Sequence, residues 1–241
     1  MPSLGWNLKV WTKDYAKFRA ERPNDTYGVQ WGDPDARESC SRADPIAPGP
    51  LYRVVDDLIK PYARPDATIL EIGPGGGRWT RYLVGAGKII CVDINEVFRA
   101  ELSEICKSTD FQFYKTRGYE LGGIAAESVD FVFSFGTFVH IEPKGIEQYL
   151  HEIKRVLKPG GISVIQYADK DKPRAARNRD FSNMNAAKME KFVPGEMNIV
   201  SHDRTLLNHS NVIRLKKAGR GTFPAPATGT APLPELTRQT P

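Results

Sequence analysis

Along the chain the apolar positions switch between a period near 3.6 and runs typical of strands, and the switches mark out the elements. Leu51, Val54, Val55, Leu58, Ile59 and Tyr62 recur at helical spacing, which predicts a helix over 51–62 entered through Pro50. Thr68–Ile72 and Ile89–Asp93 read as strands, joined by the turn Gly73–Gly77 and a helical stretch to about Val84, a β-α-β unit. An amphipathic helix over 96–106, a short strand at Phe111–Tyr114 and the apolar run Val129–Phe135 continue it, the last suited to a strand buried on both faces. Ile146, Leu150, Ile153 and Leu157 mark one helix face, Lys158-Pro159-Gly160-Gly161 predicts its stop, and Ile162–Tyr167 reads as the fifth strand. Beyond Asp169 the pattern predicts a loop over Asp171–Asp180, a short helix over Asn183–Phe192, and a hairpin from Met197–His202 and Asn211–Leu215. The fold class is therefore α/β, a doubly wound sheet.

The flanks differ in character. Residues 1–50 are polar yet hold Trp6, Trp11 and Trp31, three of the four tryptophans, so they predict a structured cap. The core domain is expected over 51–217, and the proline-rich stretch 218–241 is predicted to be a disordered tail, having too few large apolar residues to offset chain entropy.

Composition narrows the function without naming it. Apolar residues at 40% and charged residues at 26% are ordinary globular usage, and 34 Lys plus Arg against 29 Asp plus Glu leave a mild +5. That excess does not announce a nucleic-acid binder; the basic stretch with Lys172, Arg174, Arg177 and Arg179 reads as a solvated loop, and an RNA-binding or RNA-modifying role is a minor alternative. Cys40, Cys91 and Cys106 form neither a disulfide framework nor a C-x-x-C metal pair, which favours a reducing cytoplasm. No signal-peptide run or apolar stretch long enough to span a membrane is present, so no membrane association is expected.

The chemistry concentrates at Glu71-Ile-Gly73-Pro-Gly75-Gly-Gly77, where a strand turns toward a helix and open α/β sheets bind ligands. Asp93, at the end of the next strand, can accept both hydroxyl protons of a ribose. A dinucleotide fingerprint starting at Gly73 would need glycine where Arg78 stands, which argues against NAD. Glu71 would repel a pyrophosphate but suits a cofactor with an ammonium group and no phosphate, as S-adenosylmethionine has.

These residues resemble the class I S-adenosylmethionine-dependent methyltransferase family. The glycine loop, Asp93, the run Ser128–Phe135 and the turn Leu157-Lys-Pro-Gly-Gly161 match it in order and spacing, over about 66–216. The resemblance implies a Rossmann-like sheet of seven strands, the last antiparallel, in the order 3-2-1-4-5-7-6. It also implies that Glu71, Gly73, Gly75, Gly77, Arg78 and Trp79 lie at S-adenosylmethionine, with Asp93 on its ribose, Ile94 on its adenine, and Phe135 and Gly136 beside it. Arg117 and Gly118 stand where relatives hold the adenine amino group with an acid, so backbone groups or Glu120 are alternatives there.

In such proteins the end of the fourth strand faces the departing methyl group, which singles out His140. A neutral imidazole suits removal of a hydroxyl proton; the alternative is a hydrogen bond within its own loop. Glu142, two residues on, could orient it or begin a helix. No Asn/Asp-Pro-Pro-Tyr motif of base- or glutamine-directed amino-group enzymes occurs. Trp11–Tyr15, Trp31-Gly32, Gly77–Thr80, Phe133–Phe135 and Val139-His140 resemble bacterial sugar and glycan O-methyltransferases of natural-product tailoring. That likeness implies a small-molecule or glycan acceptor held by Trp11, Tyr15, Tyr27, Trp31 and Tyr167, with N- or C-methylation of a small metabolite as the alternative. Those relatives often carry an acid at Gly136 and a histidine near Gln166 or Tyr167; neither is here, so no metal is expected. His202 and His209 read as structural or exposed. Oligomeric state is not specified.

Overall fold

The computed structural model describes residues 3–35 and 51–219. Cys40 and residues 220–241, nearly all of the predicted tail, lie outside the described residues.

Seven strands form a single sheet: β1 (Thr68–Ile72), β2 (Lys88–Asp93), β3 (Asp110–Lys115), β4 (Val129–Ser134), β5 (Leu157–Ala168), β6 (Met197–Asp203) and β7 (Ser210–Lys217). Their order is β3-β2-β1-β4-β5-β7-β6. The first five run parallel, and β7 is antiparallel to both β5 and β6, as expected for a Rossmann-like methyltransferase sheet. Alternation along each strand divides the core in two. Ile69, Phe131, Phe133, Ile162 and Val164 face one side, while Leu70, Ile72, Val132, Ile165 and Tyr167 face the other. Tyr62 stacks on Phe131 with ring centroids 4.3 Å apart, so truncating Phe131 to alanine would cost about 3–5 kcal/mol.

The helices are α1 (Leu4–Glu21), α2 (Arg99–Ile105), α3 (Pro143–Val156), α4 (Pro173–Arg177) and α5 (Ala186–Phe192). Ser3 caps α1 by accepting the Trp6 N–H at 3.2 Å, and Asn185 caps α5 by accepting that of Lys188 at 3.0 Å.

Four local expectations need correction. The apolar stripe after Leu51 winds as a π-helix over Val54–Ile59, with Lys60 N–H bonding the Val55 carbonyl five residues back. The glycine turn leads into a single 3₁₀ turn, Thr80–Tyr82, in place of a helix to Val84. Gly73, Gly75 and Gly77 all have positive φ, which breaks helical winding before it starts. Lys158–Gly161 does not form a separate turn: α3 passes directly into β5, whose first residue Leu157 pairs with Val129. Within the stretch read as loop, Pro173–Arg177 forms α4, with proline in its first turn.

Candidate functional site

One cavity of about 360 Å³ opens above the carboxyl ends of β1, β2, β4 and β5, roofed by α1. Its floor begins with Ile72–Gly76, where the left-handed glycines turn the backbone toward the opening. A Cβ on Gly73 would lie 2.0 Å from Thr137 Oγ1, whose hydroxyl donates to the Gly73 carbonyl at 3.0 Å. The loops after β1 and β4 are therefore locked together, and only glycine fits between them.

Glu71 is not in the cavity. It shares a face with its register partners Cys91 and Phe133, is 1% exposed, and accepts the Thr80 hydroxyl at 2.6 Å. Burial pushes its carboxyl up to about 8, against the Thr80 bond that lowers it. It props the loop from beneath. Gly77 is likewise off the cavity, packed against Ile105.

Asp93 does line the cavity. It accepts the Asn95 N–H at 2.8 Å and the Gly75 N–H at 3.4 Å, and burial, opposed by these backbone donors, pushes its carboxyl up to about 6. Ile94, Asn95 and Phe98 continue the wall. Asn95 Oδ1 accepts the Thr12 hydroxyl from α1 at 2.6 Å, while its buried Nδ2 has no hydrogen-bond partner. A carboxylate and an orphaned amide donor beside a glycine cradle fit the two hydroxyls and ring edge of a nucleoside.

The cap residues arrange themselves around α1. Tyr27 lines the cavity, stacks on Phe98 at 5.5 Å and donates its hydroxyl to Asp14 at 2.8 Å. Trp31 meets Trp11 edge-on at 5.8 Å. Arg78 donates to the Trp31 carbonyl at 3.1 Å and lies 4.8 Å over the Trp79 ring, which packs 4.8 Å from Phe135. Tyr15, expected at the acceptor, is outside the cavity; with Arg19 it binds Glu101 and fastens α1 to α2.

His140 stands where the wall passes from β4 to α3. Its Nδ1 lies 2.9 Å from the Asp180 carbonyl oxygen, which can only accept. The ring proton therefore resides on Nδ1, and Nε2 keeps its lone pair. Burial lowers its pKa, opposed by that carbonyl. Asn7, buried in α1, donates Nδ2 to the His140 carbonyl at 3.0 Å and accepts the Trp11 indole at 3.0 Å. The Trp11 ring is 4.9 Å from the imidazole. Glu142 does not orient His140; it accepts the Tyr119 hydroxyl at 3.1 Å.

Gly136 N–H donates to Gln166 Oε1 at 2.6 Å, which turns the Gln166 amide toward Ser210 and His209. His209, expected to be structural, lines the cavity together with Gln166 and Phe181. Tyr167 does not: the strand alternation sends it to the opposite face, where its hydroxyl meets His202 Nε2 at 2.5 Å. Arg117 and Gly118 are also outside the cavity. The Thr116 hydroxyl bonds the carbonyls of Gly118 and Glu120, a curl that leaves Arg117 exposed and brings Tyr119 to the wall. Asn7, Asn95, Gln166, Phe181 and His209 were missed because a lone polar or aromatic residue in an ordinary element carries no signal of its own.

The stretch considered for RNA is partly spoken for. Lys172 Nζ donates to the carbonyls of Arg204, Leu207 and Ser210, and Lys170 Nζ to those of Ala175 and Asn178. Among the described residues no group of His, Cys, Asp or Glu side chains is gathered for a metal, and no helix is long and apolar enough to cross a membrane.

Residues 70–165 match a family described as a methyltransferase domain. Among solved structures, a Pyrococcus horikoshii protein is 18% identical, covering 84% of this chain and 98% of its own, with a TM-score of 0.61. The N-methyltransferase NodS from Bradyrhizobium japonicum, in complex with S-adenosyl-L-homocysteine, is 16% identical over 81% of this chain and all of its own, TM-score 0.57. The 1,6-didemethyltoxoflavin N1-methyltransferase from Burkholderia thailandensis, with 1,6-didemethyltoxoflavin and S-adenosylhomocysteine bound, is 19% identical over 91% and 92%, TM-score 0.58.

Proposed function

We propose, from the premise that this chain is a class I S-adenosylmethionine-dependent methyltransferase built on the domain at residues 70–165, that it methylates a hydroxyl of a small-molecule acceptor with His140 as general base. Gly73, Gly75, Asp93, Ile94 and Asn95 would hold the cofactor: the glycines admit its backbone-close portion, and Asp93 with the Asn95 amide takes the nucleoside. When bound, S-adenosylmethionine supplies an electrophilic methyl group on a positively charged sulfur.

The observation that carries the reading is the bond from His140 Nδ1 to the Asp180 carbonyl, which leaves Nε2 a proton acceptor on the cavity wall. Burial lowers the ring's pKa, which favours the neutral form a base needs. Such a base contributes about 10²–10⁴-fold, with alignment of acceptor and methyl supplying much of the rest. Residues 3–31 act as the cap that selects the acceptor, since α1 supplies Trp11 and holds the His140 carbonyl.

N-methylation of a small metabolite is the second reading, and two of the similar structures are named for it. A free amine needs no base, and the tautomer-fixed imidazole favours the hydroxyl. Methyl-labelled S-adenosylmethionine offered with matched hydroxyl and amine acceptors, followed by fragmentation of the products, tests the choice. Label on oxygen is expected; label on nitrogen alone overturns it.

A further inference from the structure

We propose that the end of the cavity between α1 and residues 178–181 is an acceptor subsite for an uncharged, flat aromatic ring bearing an acidic hydroxyl, a phenol-type acceptor in place of a sugar. This rests on the reading of His140 as base. The subsite is separate from the nucleoside end: Gln166 on β5 is three strand spacings from Asp93 on β2, about 14 Å.

Its walls are rings. Trp11 and Phe181 meet the His140 imidazole edge-on, with centroids 4.9 and 5.5 Å away and planes at 62° and 64°. Phe181 in turn lies 5.3 Å from His209, tilted by 31°. A flat ligand entering here can stack on one ring while offering its edge to another, the arrangements aromatic pairs prefer. Leu4 and Leu207 add further apolar wall.

Hydrogen-bonding groups are few and uncharged. Among the residues lining this end, Asp180 alone bears a charge; it is exposed, and its contact with the wall runs through its backbone carbonyl. That leaves His140 Nε2 in the middle, the Gln166–His209 pair at the far side and the Asn178 amide, whose Oδ1 already accepts the Asp180 N–H. A pyranose would bring several hydroxyls into this space, and each one buried without a partner carries an uncompensated desolvation cost. A ring with one or two polar atoms suits it.

The chemistry of the base points the same way. Even from an ordinary imidazole pKa of about 6.5, taking a proton from a phenol near 10 is uphill by roughly 3–4 units, and from a water-like alcohol near 15.7 by roughly 9. Burial lowers His140 further, which steepens both transfers equally and so favours the more acidic hydroxyl by the same margin. In the transfer, the hydroxyl proton passes to Nε2, the oxygen forms its bond to the methyl carbon, and the pair from the broken carbon–sulfur bond stays on sulfur.

The test measures binding as well as turnover. Protein loaded with S-adenosylhomocysteine is titrated calorimetrically with 2-naphthol, 8-hydroxyquinoline and their aminoarene counterparts, and with methyl glucopyranosides. The aromatic hydroxyls are expected to bind and the glycosides not. Phe181→Leu, which keeps apolar volume but removes the ring, should weaken naphthol binding at least tenfold with its melting temperature near that of the parent. Failure of the whole aromatic panel to bind, or an unchanged affinity in Phe181→Leu, overturns the subsite. Methylation of glycosides alone overturns it too while leaving the hydroxyl reading intact. Methylation of the aminoarenes in place of the hydroxyarenes removes His140 as base and the hydroxyl from this proposal.

Discussion

The Nδ1 of His140 and the carbonyl oxygen of Asp180 lie 2.9 Å apart, and this one contact decides which imidazole nitrogen carries the proton. His140→Gln is expected to lower kcat by about 10²–10⁴-fold while cofactor affinity stays within twofold. Because burial depresses the imidazole pKa, kcat/KM should rise with pH and level off with an apparent pKa below about 6.5. Steady-state rates from pH 4.5 to 8.5, with S-adenosylmethionine kept saturating at every pH so that the Asp93 titration does not enter, check this, and an acid limb that persists in the variant under those conditions would refute the assignment.

Asp93 holds two loop N–H groups and lines the cavity beside the glycine loop. Asp93→Asn is expected to weaken S-adenosylmethionine binding by about 10–100-fold, the 1.4–2.7 kcal/mol range of a lost charged hydrogen bond. With its carboxyl pushed up to about 6, affinity in the parent protein should fall as pH drops through that value. Calorimetry at pH 5, 6, 7 and 8 reads both effects.

Glu71 makes stability fall with rising pH. Its folded pKa, about 8, lies above the ordinary 4.5, so between these values the native state binds more protons than the unfolded chain. The stabilisation is complete below about 4.5, declines up to about 8 and is constant above; Asp93 adds a similar decline between 3.8 and about 6. Glu71→Gln keeps an acceptor for Thr80 and should flatten the melting-temperature profile between pH 5 and 8. Each kcal/mol regained corresponds to about 2–4 °C for a chain of this size.

Asn7 joins the roof to the base. Asn7→Ala removes the donor to the His140 carbonyl and the acceptor of the Trp11 indole, and should cost about 1–3 kcal/mol. Asn7→Asp keeps the acceptor for Trp11 but loses the donor, so it separates the two bonds. Both variants are expected to lower kcat more than they raise the cofactor Kd; equal loss in the two would assign Asn7 to folding alone.

Much of the sheet was legible because buried parallel strands are short apolar runs between turns, and Val129–Phe135 or Ile89–Asp93 can hardly be read otherwise. Gly73, Gly75 and Asp93 were legible for a related reason: glycines and a carboxylate at strand ends have few structural uses in that pattern. Glu71 was misread in direction. The spacing reveals an acid beside the loop, while the alternation that sends it beneath depends on partners in β2 and β4. Tyr167 was misplaced by the same two-residue periodicity. Asn95, Gln166 and Phe181 act through neighbours far away in sequence, and no local pattern distinguishes them from ordinary buried residues.

The bond from Asn7 to the His140 carbonyl spans 133 residues, and that from Thr12 to Asn95 spans 83. During synthesis at about 5–20 residues per second, Asn7 is added roughly 7–27 s before His140, the residue it must grip. Its apolar face has to wait in solvent, or on whatever sheltering surface the cell provides, until β4 is in place. The roof is made before every strand of the sheet it covers, so its seating reports that the strands beneath it, as far as β4, are already in place.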